Sequence, residues 1–207
     1  MNAIKLYHFP LSGHSHRAQL MLSLLGLEPD IYFVDLANGA QRSAEFLSIN
    51  AFGQVPVIDD NGTIVADSTA ILVYLAKAHD PSGQWLPADA DGAAQVQRWL
   101  SVASGQINNG PCRARLITVF GADFDPKDTI ERAHAVLQVI EKHLVGRQFL
   151  VADHPTIADV AAYSYIAHAP EGNVSLEDYP NVRAWLARIE GLKGFVPMPA
   201  TKAGLVV

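Results

Sequence analysis

An Asn-Gly dipeptide at positions 61 and 62 constrains the fold of this chain more than any other feature of its sequence. It lies between two short apolar runs, residues 55–58 and 63–66. Both residues tolerate the positive φ angles that a two-residue loop requires, so this pattern is the strongest short-range signal for a β-hairpin. It predicts that two consecutive strands pair antiparallel at this point.

The segments on either side extend the hairpin into a larger unit. Residues 4–9 and 31–36 are rich in β-forming side chains, and the apolar run 18–25 between them is typical of a helix. Their spacing predicts a right-handed crossover between parallel strands. After the hairpin, Asp67-Ser68 predicts the cap of a further helix. The expected order is therefore β-α-β followed by β-β-α.

A breaker-rich stretch separates this unit from the rest of the chain. Residues 80–91 contain two prolines, a glycine and a serine among aspartates, which predicts a linker. Beyond it, apolar residues recur at helical spacing without the alternation of a strand. We therefore expect an α/β domain over residues 1–79, a linker over 80–91 and an all-helical domain over 92–207.

Composition excludes several classes of protein. The single cysteine allows neither an intrachain disulfide nor a cysteine metal cluster, and it favours a reducing compartment. The net charge is -6 and the 15 Lys and Arg are scattered, so we expect no binding to nucleic acid. The N-terminus lacks the pattern of a signal peptide, and no run of about 18 apolar residues occurs. We expect a cytoplasmic protein that does not enter a membrane.

Four ordered motifs give the chain a family resemblance. The motifs are Leu6-Tyr7 with Ser12 and Arg17, Asn50-Ala51-Phe52-Gly53-Gln54-Val55-Pro56, Asp67-Ser68-Thr69-Ala70-Ile71, and Thr156-Ile157-Ala158-Asp159. With them the chain resembles the cytosolic glutathione transferases, a two-domain family with a thioredoxin-like N-terminal domain and an all-α C-terminal domain. It is most similar to serine-type members, including bacterial enzymes and the phi, theta and zeta classes.

The resemblance implies an activity and a set of partners. Such enzymes bind glutathione as a co-substrate and activate its thiol, as a thiolate, for attack on an electrophilic, mostly apolar small molecule. They are typically homodimers that serve detoxification. Two other outcomes stay open: a glutathione-dependent isomerisation or peroxide reduction, and a non-catalytic glutathione-binding or protein-interaction role. A dithiol oxidoreductase would need two nearby cysteines and is set aside.

The motifs also imply a glutathione site. In the family the proline that matches Pro56 is cis, and it turns the backbone of Val55 towards the ligand, where it pairs with the cysteinyl backbone of glutathione. Gln54, which precedes this pair, and Pro56 are expected with Val55 among the glutathione-binding residues. Asp67 is expected near the ligand ammonium, whereas the Ser68 hydroxyl and the N-terminus of its helix hold the γ-glutamyl carboxylate.

A basic residue is a further candidate for binding glutathione. Related enzymes often place residues that contact the glycyl carboxylate where Gln41 and Arg42 fall, and Arg42 would pair with it. Arg42 is equally interpretable as a solvated surface charge.

The catalytic hydroxyl is expected at Ser12, in the loop between the first strand and the first helix, where serine-type members carry theirs. Ser15 is a second candidate that is more readily interpreted as a helix cap. Tyr7 is a third, although His8 rather than Tyr7 aligns with the catalytic tyrosine of other classes, which favours a core position for Tyr7.

The residues around the electrophile are identified only by their expected position in the family. They are Leu11, Asn108, Asn109, Cys112 and Arg113. Cys112 lies outside the first domain, so a catalytic thiol is not expected. His8, His14 and His16 suggest a metal site or a general base, but no carboxylate lies at ligand spacing and a loop histidine is usually solvated, so we expect no metal.

Two remaining features have structural interpretations. Thr156-Ile157-Ala158-Asp159 is a capping box, in which the acidic third helical residue completes the cap, and it resembles the buried cap that the family uses in folding. Phe52 is open to two interpretations: an anchor in a homodimer interface or a core residue.

Overall fold

The computed structural model describes residues 3–205 and divides into two compact units. The N-terminal unit runs from the start of the described chain to Gly83 and also includes Lys193–Pro199. The helical unit comprises Gln84–Leu192 and the described residues from Ala200 onward. None of the helices among these residues has the length and apolarity needed to cross a membrane.

The N-terminal unit contains a four-stranded mixed sheet in the order β2-β1-β3-β4. Strand β1 pairs parallel with β2 and antiparallel with β3, and β3 pairs antiparallel with β4. The predicted order of elements and the thioredoxin-like class are therefore confirmed. The elements are β1 (Lys5–His8), α1 (Gly13–Leu24), β2 (Asp30–Phe33), α2 (Ala44–Ile49), β3 (Val57–Asp60), β4 (Thr63–Ala66) and α3 (Ser68–His79).

The hairpin forms as the sequence predicts. Asn61 has φ 51° and Gly62 has φ 96°, and both lie between the paired residues Asp60 and Thr63. The positive φ angles at both loop residues are those of the two-residue turn that suits the twist of the flanking strands.

Other details of this unit differ from the sequence prediction. Helix α1 begins at Gly13, ahead of the apolar run at 18–25, because the Ser12 side chain caps it. The short helix α2 and the 3-10 turn Ala40–Arg42 were not predicted. Strand β2 is an exposed edge strand that ends at Phe33.

The helical unit contains only helices and connecting segments within its described residues, which confirms the predicted all-α class. Its helices are α4 (Ala90–Ser104), α5 (Arg113–Phe120), α6 (Pro126–His143), α7 (Ile157–Ala167) and α8 (Pro180–Glu190), with a π-helical segment Asn108–Cys112 and a 3-10 turn Ala169–Gly172. Asp89 caps α4, so this helix begins inside the stretch predicted as linker.

The segment Lys193–Pro199 returns to the N-terminal unit and packs beside α1. His16 Nε2 lies 2.8 Å from the Val196 carbonyl oxygen, and the Ser23 hydroxyl donates to the Gly194 carbonyl at 2.7 Å. Gly194 has φ 90°, and a Cβ at this position would lie 2.7 Å from the Ser23 carbonyl oxygen. A glycine is therefore required for this close approach.

The capping box at the start of α7 is present and is buried. Asp159 Oδ2 accepts from the Thr156 N–H at 2.9 Å, while Oδ1 accepts from the Leu150 N–H and the Trp185 indole N–H, each at 2.9 Å. The Thr156 hydroxyl in turn accepts from the Ala158 N–H at 3.3 Å. One carboxylate thus joins α7, the segment before it and α8.

Candidate active site

The loop between β1 and α1 presents the Ser12 hydroxyl at a helix N-terminus. Ser12 is the N-cap of α1, with extended backbone angles of φ -89° and ψ 115°. Its Oγ accepts a hydrogen bond from the Ser15 N–H at 3.2 Å. A serine hydroxyl has one donor and two acceptor positions, so this cap leaves the hydroxyl hydrogen available to a ligand. Ser12 is half-buried, so part of this residue is accessible to solvent.

Ser15, the second candidate hydroxyl, is fully buried as the third residue of α1. Its Oγ accepts from the Phe9 N–H at 3.3 Å, which ties the end of β1 to α1. The interpretation of Ser15 as the helix cap was wrong, because α1 begins at Gly13, three residues before the start that this role requires.

Tyr7 and His8 lie on opposite faces of the sheet. The Tyr7 ring packs against Tyr32 and Phe46, with centroids 5.2 and 6.1 Å away. It joins a core cluster that also contains Val34 and Val57. His8 is buried on the other face, and burial lowers the pKa of its imidazole. The core position that the sequence favours for Tyr7 agrees with this packing.

Asp67 caps α3 from an uncommon backbone conformation. Its φ is 76°, in a region that non-glycine residues rarely adopt and that is enriched at ligand sites. The carboxylate accepts from the Thr69 and Ala70 N–H groups at 2.8 and 3.0 Å and from the Thr69 hydroxyl at 2.6 Å. Burial opposes ionisation of Asp67, but these hydrogen bonds outweigh it and lower the pKa of the carboxyl.

Helices α1 and α3 meet at their N-termini. The buried Ser68 hydroxyl, on the first residue of α3, lies 3.2 Å from His14 Nδ1 and accepts from Arg17 Nη1 at 3.2 Å. Arg17 Nη1 also lies 2.9 Å from His14 Nδ1. Beyond the Asp67 carboxylate that caps α3, neither helix has an acidic residue in its first turn. Two helix N-termini and a buried guanidinium thus offer partial positive charge and hydrogen-bond donors to a carboxylate, beside the negative charge of Asp67.

The cluster of His14, Arg17 and Ser68 was not predicted from the sequence. Its available signal was the spacing of His14 and Arg17, which places both side chains on one face of the first turns of α1. His14 contacts Ser68 and His16 contacts Val196, so these two histidines have separate partners. The described residues contain no group of three or more side chains suited to a metal ion.

The Val55-Pro56 peptide bond is cis, as the resemblance implies. Because β3 begins at Val57, the Val55 backbone lies outside the pairing of β1 with β3. The Asn50 carboxamide donates to the Gln54 carbonyl at 2.7 Å and accepts from the Phe52 N–H at 3.1 Å. Asn50 therefore fixes the conformation of the loop that carries Val55.

Arg42 and Gln54 have exposed side chains in the N-terminal unit. Arg42 is the last residue of the 3-10 turn Ala40–Arg42, and Gln54 directly precedes the cis peptide bond. Gly53, between Asn50 and Gln54, has φ 61°, and a Cβ there would lie 3.0 Å from the Gln41 carbonyl oxygen. This approach brings the 3-10 turn close to the loop.

The candidates for the electrophile site have different environments. Leu11 is half-buried in the N-terminal unit. Asn108 and Asn109 are half-buried in the π-helical segment, whereas Cys112 is only 2% exposed and belongs to the core. The Arg113 guanidinium lies 4.8 Å from the centroid of the Phe124 ring.

A cavity of about 750 Å³ lies between α4 and α6 in the helical unit. Asn109, which was predicted for the electrophile site, lines this cavity. Other lining residues include Trp99, Val102, Val136 and Ile140. The cavity wall is thus mainly apolar, with polar groups from Asn109 and neighbouring residues.

Comparison with known proteins agrees with this geometry. Residues 11–78 match the glutathione S-transferase N-terminal domain and residues 123–193 match the C-terminal domain. Glutathione S-transferase 3 of Zea mays is 32% identical over 96% of this chain and 97% of its own length. Glutathione S-transferase theta-2 of Homo sapiens is 30% identical over 92% of this chain and 82% of its own. The crystal structure of glutathione S-transferase from Pseudomonas fluorescens superposes with a TM-score of 0.89, at 32% identity over 95% of this chain and 99% of that one. The chain therefore belongs to the glutathione S-transferase family.

Proposed function

We propose that this protein is a glutathione transferase that joins the sulfur of glutathione to an alkyl or aryl carbon of an apolar electrophile. The thiolate sulfur forms the new bond to carbon, and the leaving group departs with its electron pair. The observation that carries this proposal is the meeting of the α1 and α3 N-termini beside Ser12, Arg17 and Ser68. The family membership adds independent support.

In this proposal the α3 N-terminus binds the γ-glutamyl end of glutathione. The γ-glutamyl carboxylate accepts from the Ser68 hydroxyl and from the Ser68 N–H, because the Thr69 and Ala70 N–H groups already donate to Asp67. The Asp67 carboxylate, held ionised by its hydrogen bonds, attracts the ligand ammonium. Since the side chain of Asp67 already caps the helix, one residue serves both structure and binding.

The remainder of glutathione would extend along the loop that ends at the cis proline. The Val55 N–H and carbonyl pair with the cysteinyl backbone as a short antiparallel strand, between Gln54 and Pro56. The exposed Arg42 is assigned to the glycyl carboxylate, where a charge-assisted hydrogen bond adds affinity. These contacts leave the cysteinyl sulfur to be stabilised by a separate group.

We assign that stabilisation to Ser12. A free thiol with a pKa of about 8.5 is only a few per cent ionised at neutral pH, and a shift of roughly 2 units makes the thiolate dominant. A hydrogen bond to a charged group contributes about 1.5–3 kcal/mol, which supplies most of this shift. The α1 N-terminus adds a further favourable interaction with the negative sulfur. The buried Ser15 hydroxyl and the packed Tyr7 ring are less accessible sources of the hydrogen bond.

Leu11, Asn108, Asn109 and Arg113 are retained as the proposed residues for the electrophile, whereas Cys112, which is 2% exposed, is a core residue of the helical unit. We expect the reaction to need neither a metal nor a second cysteine. The relatives compared above are themselves named as transferases, and nothing among them favours a non-catalytic role. A cytoplasmic location and a role in detoxification complete the proposal.

The direct test is a calorimetric titration of the protein with glutathione, followed by an assay of chloronitrobenzene conjugation. We expect saturable binding of one glutathione per chain and release of chloride with formation of the thioether. Binding without conjugation of any electrophile in a panel of aryl and alkyl halides would favour the non-catalytic alternative. Absence of binding would reject the proposal.

We further propose that the protein is a homodimer in which Phe52 is an interface anchor. Phe52 is 86% exposed, which excludes its interpretation as a core residue of the chain. Large exposed aromatic side chains are enriched at the centres of protein interfaces, where their burial stabilises association.

Replacement of Phe52 by serine should weaken this dimer. We expect the dissociation constant, measured by analytical ultracentrifugation, to rise roughly 30-fold or more, as expected for loss of an interface anchor of at least 2 kcal/mol. Phe33→Ser is the matched control, because Phe33 is also an exposed phenylalanine of the N-terminal unit, on the edge strand β2. A native chain that is monomeric at all concentrations, or equal effects of the two substitutions, would contradict the assignment.

A further inference from the structure

His14 occupies a position in the site that the proposed contacts with glutathione do not use. It is the second residue of α1, and its Nδ1 lies between two groups: Arg17 Nη1 at 2.9 Å and Ser68 Oγ at 3.2 Å. Arginine has only donors, so the shorter contact requires an unshared electron pair on Nδ1. His14 is therefore neutral in this arrangement, with its ring hydrogen on Nε2.

The hydrogen atoms of the cluster can be assigned from this starting point. Arg17 Nη1 carries two hydrogens, of which one reaches His14 Nδ1 and the other reaches Ser68 Oγ. The single in-plane electron pair of Nδ1 is then occupied by Arg17. The Ser68 hydroxyl consequently accepts from Arg17 and does not need to donate to His14. Its own hydrogen is left for a ligand.

We propose that His14 is a positioning residue that, through Arg17, makes the Ser68 hydroxyl a donor to the γ-glutamyl carboxylate of glutathione. This inference rests on the proposed function and assigns a role that the resemblance does not imply. His14 keeps the Arg17 guanidinium between the two helices, and Arg17 fixes the orientation of the Ser68 hydroxyl. The histidine acts on the binding of glutathione and not on its sulfur.

His14 is proposed to act by accepting a hydrogen bond from Arg17 and not merely by occupying volume. An asparagine at position 14 places a carboxamide oxygen near the location of Nδ1 and can accept from Arg17, whereas leucine fills similar volume and cannot accept. Replacement by leucine leaves a buried Arg17 N–H without its acceptor, so the guanidinium shifts and the Ser68 hydroxyl loses its fixed orientation. The two variants should therefore differ in glutathione affinity.

The experiment compares native protein, His14→Leu and His14→Asn by calorimetric titration with glutathione and by steady-state conjugation. We expect His14→Leu to raise the Kd and KM for glutathione about 10-fold or more, with kcat at saturating glutathione changed by less than about threefold. His14→Asn should restore the native Kd to within about threefold. His154→Leu, at a half-buried histidine of the helical unit, is the control and should leave both values unchanged.

A double-mutant cycle with Ser68→Ala tests the route of the effect. If His14 acts through Ser68, the double variant His14→Leu with Ser68→Ala should bind glutathione about as weakly as Ser68→Ala alone. Additive losses would overturn the inference, as would equal affinities of the leucine and asparagine variants or a loss confined to kcat. If His14→Leu does not fold, His14→Ala takes its place. Failure of the native protein to bind glutathione would instead reject the proposed function, together with this inference.

Discussion

Replacement of Ser12 by alanine should lower kcat for conjugation roughly 10- to 150-fold while the Kd for glutathione changes by less than about threefold. The range corresponds to the loss of one hydrogen bond to a charged sulfur, worth about 1.5–3 kcal/mol. The affinity is expected to persist because the groups assigned to the two ends of glutathione, including Ser68 and Val55, are untouched. Steady-state kinetics and calorimetry on the same preparation measure both values.

Ser12 also caps α1, so a change in stability must be separated from a change in chemistry. Loss of an N-cap costs about 1 kcal/mol. Ser43→Ala is the matched control, because Ser43 caps α2 in the same unit by accepting from the Phe46 N–H at 3.1 Å and has no assigned role at the sulfur. It should lose comparable stability and retain kcat. Unchanged turnover in Ser12→Ala would move the donor to Ser15, Tyr7 or a backbone N–H.

Replacement of Asp159 by alanine should produce the largest loss of stability of any change considered. The substitution removes the acceptor of three buried N–H groups, on Leu150, Thr156 and Trp185. Each buried donor without a partner costs about 1–3 kcal/mol, so the free energy of unfolding should fall by at least about 3 kcal/mol. For a chain of this size that corresponds to a decrease in Tm of roughly 6–12 °C or more.

The control for this loss is Asp128→Ala in α6. Asp128 forms an exposed ion pair with Arg132 at 2.7 Å within one helix. Solvent screens such an exposed pair, so its loss changes stability little and this variant should unfold close to the native temperature. Calorimetric or circular-dichroism melting of both variants checks the difference. Equal shifts would show that the buried carboxylate of Asp159 does not carry the stability assigned to it.

The parts of the fold that local physical chemistry determines could be predicted from the sequence. The Asn61-Gly62 loop requires positive φ angles that few residues adopt, and the cap at Asp67 precedes its helix directly. Both signals depend on a few neighbouring residues, so they can be recognised without knowledge of the rest of the chain. Helix α2 was not predicted, because six residues are too few for helical periodicity to be distinguished from a turn.

Features that depend on distant parts of the chain could not be predicted. The segment Lys193–Pro199 contacts α1 through Val196, which lies against His16, and Gly194, which lies against Ser23. The two residues of each contact are more than 170 positions apart in the sequence. The exposure of Phe52 is likewise a property of the folded surface, and the sequence alone did not decide between a surface and a core position.

The residues of the candidate site likewise fall into two groups: those that local motifs predict and those whose roles depend on contacts between distant positions. Motif spacing supplied Ser12, Val55, Pro56 and Ser68 through the resemblance to a family. The role inferred for His14 required the approach of α1 to α3, because its partner Ser68 lies 54 positions away. Burial of Cys112 also became evident only in the fold.

This protein is proposed to bind glutathione and to ionise its thiol. Ultraviolet absorbance of the thiolate, recorded as a function of pH for the complex with glutathione, tests it most directly. We predict that the bound thiol ionises with a pKa roughly 2 units below that of free glutathione, so that the thiolate dominates at neutral pH. A bound thiol that titrates at the same pH as free glutathione would contradict the account.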